Sequence, residues 1–214
     1  MEKEETINNF IYLFPEWLMC SALTMSIKEN NLLWKNLPFH FIESTAPKNL
    51  FEKYPLLKNA EFKSEQSFVK NENKKWGIEE NDYRSKYWSL RPDFMIIDDS
   101  FKFLFLIEVK GGPLFQKKYW ENPKEIRYFN FLKDAKNYNE KGFLYIIPKQ
   151  YEDQCKHCLK SIFKDSNGII IGYGIWEEML EFISNSINVV FIDWLVAQSK
   201  GINILSQWKK EHSL

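Results

Sequence analysis

Apolar side chains fill almost every position from Phe94 to Ile97 and from Phe103 to Ile107. Runs this short and continuous read as strands covered on both faces. Asp98-Asp99-Ser100 between them is turn chemistry, and Gly111-Gly112-Pro113 stops the second, so Arg91–Ile97 and Lys102–Lys110 are predicted to form a hairpin. The period then lengthens. Asn122-Pro123 opens a helix to about Asn139, with Tyr128, Phe131, Leu132, Ala135 and Tyr138 as its buried stripe and Gly142 as its stop. Phe143–Ile147 is a further buried strand, which makes this unit strand–helix–strand with a crossover.

The flanks are read more coarsely. The first sixty residues read as helical: Phe10, Leu13, Phe14, Trp17, Leu18 and Ala22 recur at helical spacing, with a break or a start at Pro15. A second helix is expected from about Pro47 to Tyr54, with Ser44 and Thr45 available as caps and Pro55 ending it. Gln66–Lys70 reads as a short strand and Asn71–Asp82 as loop. Beyond Pro148 come a strand (Ile169–Tyr173), a helix (Glu177–Ile183), a strand (Val189–Ile192) and a helical turn (Ile204–Lys210). The expected architecture is α/β, with a central mixed sheet flanked by helices in a single domain over 1–214. Its sub-regions are a helical N-terminal segment (1–60), a core (61–149) and a small α/β C-terminal extension (150–214) packing on that core.

Composition narrows the options. Apolar residues are 44% and charged residues 27%, ordinary for a globular protein, while 17% aromatics supply a large core. Twenty-nine basic and 29 acidic residues cancel, so nucleic-acid binding through bulk positive charge is excluded and any such contact rests on a local patch. No apolar run is long enough to span a bilayer, and Met-Glu-Lys-Glu-Glu is not a secretory start, so a cytoplasmic protein is expected. Cys155-Lys-His-Cys158 has zinc-ligand spacing but no second pair, and reads as an ordinary helix or surface segment. His40 and His212 are expected to be satisfied or solvated. No nucleophile elbow, P-loop or dinucleotide fingerprint is present.

Three polar residues interrupt the apolar strands. Glu108 and Lys110 are two apart and share a face. With Ser100-Phe101 as a two-residue turn, paired residue numbers sum to 201, which sets Asp93 opposite Glu108 with β-carbons about 5 Å apart. Asp98-Asp99 is equally turn-like, and a one-residue slip puts the two carboxylates on opposite faces. Carboxylates that close are costly without a cation between them, and oxygen donors suit a hard divalent ion, magnesium or manganese. The Val109 carbonyl lies between the two side chains as another donor. The Lys110 ammonium, held beside the ion, suits the positioning of an attacking water and the developing charge. The alternative is structural: an ion pair at a strand end in which Lys110 neutralises Glu108, leaving Asp93 unexplained.

Pro92-Asp93 followed by Glu108-Val109-Lys110 across a hairpin resembles the PD-(D/E)XK nuclease superfamily, whose members include many restriction endonucleases. The resemblance covers roughly residues 40–149. It implies a restriction-endonuclease-like core, Asp93, Glu108 and the Val109 carbonyl as metal ligands, Lys110 as catalytic lysine, and metal-dependent cleavage of DNA. It also implies an upstream acid, for which Glu43, Glu52 and Glu65 are candidates, with Glu52 preferred for its well-capped helix. From Lys110 to Lys149 nine basic residues face four acids, an excess of five that suits a phosphate backbone. Lys117, Lys118 and Arg91 are the expected contacts, with Arg84 in reserve. DNA is the expected partner, as a homodimer or within a larger nucleic-acid-processing complex; a catalytically weak DNA-binding subunit is the alternative. An endonuclease in defence, repair or mobile-element processing is expected; the sequence does not decide endo- versus exonuclease or DNA versus RNA.

Overall fold

Hydrogen-bond ladders join seven strands into one mixed sheet in the computed structural model, which describes residues 16–29, 33–42, 46–55, 57, 60–64, 73–87, 89–110, 123–162 and 168–183. The strands are β1 (Pro38–Phe41), β2 (Lys48–Asn49), β3 (Glu61–Ser64), β4 (Phe94–Asp98), β5 (Phe103–Val109), β6 (Glu140–Ile147) and β7 (Ile170–Ile175), in the order β2-β1-β7-β6-β5-β4-β3. β5, β6 and β7 are parallel; the remaining neighbours are antiparallel.

The helices are α1 (Glu16–Glu29), α2 (Leu33–Asn36), α3 (Leu50–Lys53), α4 (Asn73–Trp76), α5 (Glu80–Asp82, running into a π-turn over Tyr83–Tyr87), α6 (Pro123–Asp134), α7 (Glu152–Ile162) and α8 (Trp176–Ile183). They cover both faces of the sheet. One core combines Ala22 and Leu23 of α1 with Phe94, Phe105 and Ile107; the other combines Tyr128 and Phe131 of α6 and Cys155 of α7 with Leu104, Leu106 and Phe143. All seven residues of β5 are buried, as a strand covered on both faces requires. Each phenylalanine buried there contributes about 1.5–3 kcal/mol.

Several sequence expectations are corrected. The first sixty residues are not helical throughout, because β1 and β2 lie within them. Phe39 and Phe41 are buried on either side of His40, a two-residue period too short to stand out beside long helical patterns. The C-terminal region contributes β7 to the sheet, between β1 and β6, rather than only packing against it. Asn71–Asp82 contains the helical turns α4 and α5. α4 ends on Gly77 at φ +70, with Gly77 N–H bonded to Lys74 O and Ile78 N–H to Asn73 O, a closure that favours glycine.

α6 stops at Asp134 rather than about Asn139. Asn137 instead bonds the Lys74 and Lys75 carbonyls, and the amides of Asn139 and Glu140 bond Lys102 O, so the chain has already turned toward β6. Gly142 is therefore a strand residue: it pairs with Phe105, and a β-carbon on it would lie 1.3 Å from that ring. The expected elements at 66–70, 189–192 and 204–210, and Gly111-Gly112-Pro113, lie outside the described residues. Among the described residues no helix is long and apolar enough to cross a membrane.

Candidate metal centre

The β4–β5 hairpin positions the three polar residues. Phe94 pairs with Ile107 and Asp98 with Phe103, so paired residue numbers sum to 201. This is the register that a turn centred on Ser100-Phe101 gives. Asp98 serves the turn through its side chain: Oδ1 accepts the N–H groups of Ser100 and Phe101. Continued by one residue, the register sets Asp93 against Glu108. There the Val109 N–H donates to Asp93 Oδ2 at 2.7 Å, joining the end of β5 to the start of β4.

Side chains alternate along β5. Phe103, Phe105, Ile107 and Val109 enter the α1 core, while Leu104 and Leu106 enter the α6 core with Met95 and Ile97 of β4. By the same alternation Asp93, Glu108 and Lys110 share the α6 face. Glu108 is 1% exposed and Lys110 8%, and Lys110 Nζ donates to Glu108 Oε1 at 2.8 Å. The Lys110 N–H bonds Ile146 O, so the parallel ladder with β6 holds the backbone just past the strand end.

A residue expected only as core lies beside these three. Tyr128 of α6 is fully buried, and its hydroxyl donates to the Arg91 carbonyl at 2.7 Å. Burial, then the negative charges of Glu108 and Asp93 and a hydrogen bond to Glu108, push this phenol far above its ordinary range. The signal for it in the sequence was a tyrosine, rather than a phenylalanine, in the buried stripe of a helix: buried phenols find a hydrogen-bond partner. Its neighbour Arg127 donates to Lys86 O and to Ser89 Oγ.

The other candidates fall differently. Glu52 is committed to a capping box on α3: Asn49 Oδ1 accepts its N–H, and its carboxylate accepts the Asn49 N–H. The centre therefore does not use it in this arrangement. Arg91 presents an exposed side chain, and Glu43, Glu65, Lys117 and Lys118 lie outside the described residues. Part of the basic excess is engaged elsewhere. Besides Arg127, Lys141 reaches the Lys133 and Ala135 carbonyls, and Lys149 pairs with Glu152. Cys155 and Cys158 face the core from α7 while His157 is exposed, so the three do not converge. His40 bonds Glu178 at 2.7 Å and stacks on Tyr173, a satisfied histidine.

The donor chemistry fits a hard divalent cation: two carboxylates on one face of adjacent strands, with a peptide carbonyl between Glu108 and Lys110. Among the described residues no group of three or more His, Cys, Asp or Glu side chains is arranged to hold a metal ion. A centre here rests on two carboxylates and backbone or solvent oxygen. No protein family, no curated protein and no solved structure matches the chain.

Proposed function

We propose that the chain is a divalent-metal-dependent nuclease with a restriction-endonuclease-like core of the PD-(D/E)XK type, hydrolysing phosphodiester bonds in DNA. The observation that carries this reading is the convergence of Asp93, Glu108 and Lys110 on one sheet face at the end of a buried hairpin. The strand order supports it as well: an antiparallel hairpin, a helix, then β6 parallel to β5. Asp93 and Glu108 would hold the cation through carboxylate oxygens, with the Val109 carbonyl beside them. A magnesium or manganese ion bound there would supply Lewis-acid polarisation of the phosphate and lower the pKa of water. Lys110 keeps its proton at Nζ and sets a positive charge against the charge that develops on the phosphate.

The test is nicking of duplex, branched and single-stranded DNA with magnesium or manganese. Asp93→Asn, which retains an acceptor for the Val109 N–H, and Lys110→Ala are each expected to lower the rate about a hundredfold or more. Undiminished cutting by both folded variants overturns the assignment. So does an inactive wild-type protein that shows neither metal uptake nor DNA binding.

A second reading is a catalytically weak DNA-binding subunit of a larger complex. It is favoured by the commitment of Glu52 to its own helix cap and by the absence of a third acid at the centre among the described residues. Salt-sensitive DNA binding without turnover supports this second reading instead.

A further inference from the structure

Asp93 lies one residue before β4, so the ladder alone does not fix it. The segment before it, Tyr83–Arg91, includes a π-turn, and its last residues are tied to α6 by side chains rather than by strand pairing. Tyr87 Oη donates to Asp134 Oδ2 at 2.7 Å, Arg127 holds Lys86 O and Ser89 Oγ, and Tyr128 Oη donates to Arg91 O at 2.7 Å. The last tie is two residues from Asp93, with only the buried, rotation-restricted Pro92 between them. At the other end Asp93 Oδ2 accepts the Val109 N–H. Asp93 is thus tied directly to a peptide on β5 and, through the backbone at Arg91, to a phenol on α6 whose hydroxyl is also in hydrogen-bond reach of Glu108.

We infer that Tyr128 is a positioning residue, whose hydrogen bond to the Arg91 carbonyl holds the Asp93 carboxylate against Glu108 in the geometry that a divalent cation needs. The metal arm of this inference rests on the proposed function; the positional arm does not. Partners that orient a ligand without touching the metal commonly govern affinity by about 10–100-fold. Tyr128→Phe removes one oxygen from a fully buried ring and leaves the apolar contacts of α6 in place.

The experiment uses the full chain and two readouts. Amide exchange in metal-free protein is expected to be about tenfold faster at Val109 in Tyr128→Phe, the opening of the Asp93 bond, with Leu104 and Leu106 unchanged. Calorimetric titration with manganese is expected to show an affinity about tenfold weaker or more than in wild type. Arg127→Ala, which cuts a neighbouring tie, is expected to move both readouts in the same direction. Unchanged exchange at Val109, or exchange raised equally along all of β5, overturns the positioning role. If wild type takes up no manganese, the proposed function fails while the exchange readout still decides the role of Tyr128. If wild type takes up manganese and Tyr128→Phe binds it as tightly, the metal arm is overturned and the proposed function stands.

Discussion

Replacing Lys110 with methionine tests the energetics of the centre directly. The side chains of Lys110 and Glu108 are 10% and 2% exposed and meet at 2.8 Å, so the substitution removes a buried cation and leaves a buried carboxylate behind. Breaking such a pair from one side costs about 3–5 kcal/mol, because the remaining charge keeps its desolvation penalty. Urea unfolding of wild type and variant at neutral pH, followed by tryptophan fluorescence, reads that loss. Lys110→Met combined with Glu108→Leu is expected to return to wild-type stability or exceed it, as apolar replacements of buried ion pairs often do. A single-variant loss under about 1 kcal/mol refutes the claim of a desolvated pair. Magnesium at a hundredfold over its dissociation constant should restore up to about 2.7 kcal/mol to the single variant. A failure of that restoration alone weighs against the metal assignment and leaves the ion-pair reasoning intact.

Further outcomes follow from the rest of the molecule. Gly142→Ala drives a methyl to 1.3 Å from Phe105, whose ring is packed between Phe103 and Tyr54; a loss of about 1–3 kcal/mol or more is expected in chemical denaturation, partly recovered when Phe105→Leu is added. Burial alone would raise the Glu152 carboxyl, but hydrogen bonds from Lys156, Lys149 and Tyr173 bring it down from 4.5 to about 2. That difference corresponds to about 3 kcal/mol, reduced to about 1 by solvent screening at the half-exposed lysines. Wild type should therefore be more stable than Glu152→Gln above pH 4.5, with the gap closing as pH falls toward 2; a gap that widens in acid contradicts the assignment. The Cys155 thiol is raised by burial and both α7 thiols are enclosed, so iodoacetamide should label them only upon unfolding; rapid native labelling, read by mass spectrometry, overturns that placement.

How much was legible from sequence depends on whether the determinant was local. The β4–β5 hairpin was, since its apolar runs and the Asp98 turn lie within about fifteen residues; alternation fixes the shared face of Glu108 and Lys110, while the face of Asp93 waited on the turn, which the sequence left open. β1 was not. Pro38-Phe39-His40-Phe41 is four residues long, and its place in the sheet comes from pairing His40 with Tyr173, far along the chain. The end of α6 was misjudged because the signal read, Gly142, answers to a tertiary demand, room for the Phe105 ring, rather than to helix closure. Glu52 carried a local signal that was read differently. Asn49-Leu-Phe-Glu52 is a capping-box spacing, and such a box commits the glutamate to its own helix start. Tyr128 needed the fold, because nothing nearby in sequence says that a stripe residue of α6 reaches back to Arg91.

The same three residues explain why such a centre weakens the fold that carries it. Asp93, Glu108 and Lys110 sum to one excess negative charge on a face otherwise lined by Leu104, Leu106 and Met95. Apolar residues there would pack without any desolvation cost, so the trio gives up stability that an aliphatic strand end would keep. The hairpin limits this cost because Asp93 and Lys110 flank the strands, leaving Glu108, paired with Tyr145, as the one charge of the three within the ladder. On the proposed function the excess charge is what a divalent cation neutralises, so the apo protein is the strained state and the loaded one the relaxed state. Stabilising the chain by replacing the trio should then raise the unfolding midpoint and abolish cutting together, a trade that a purely structural ion pair has no reason to show.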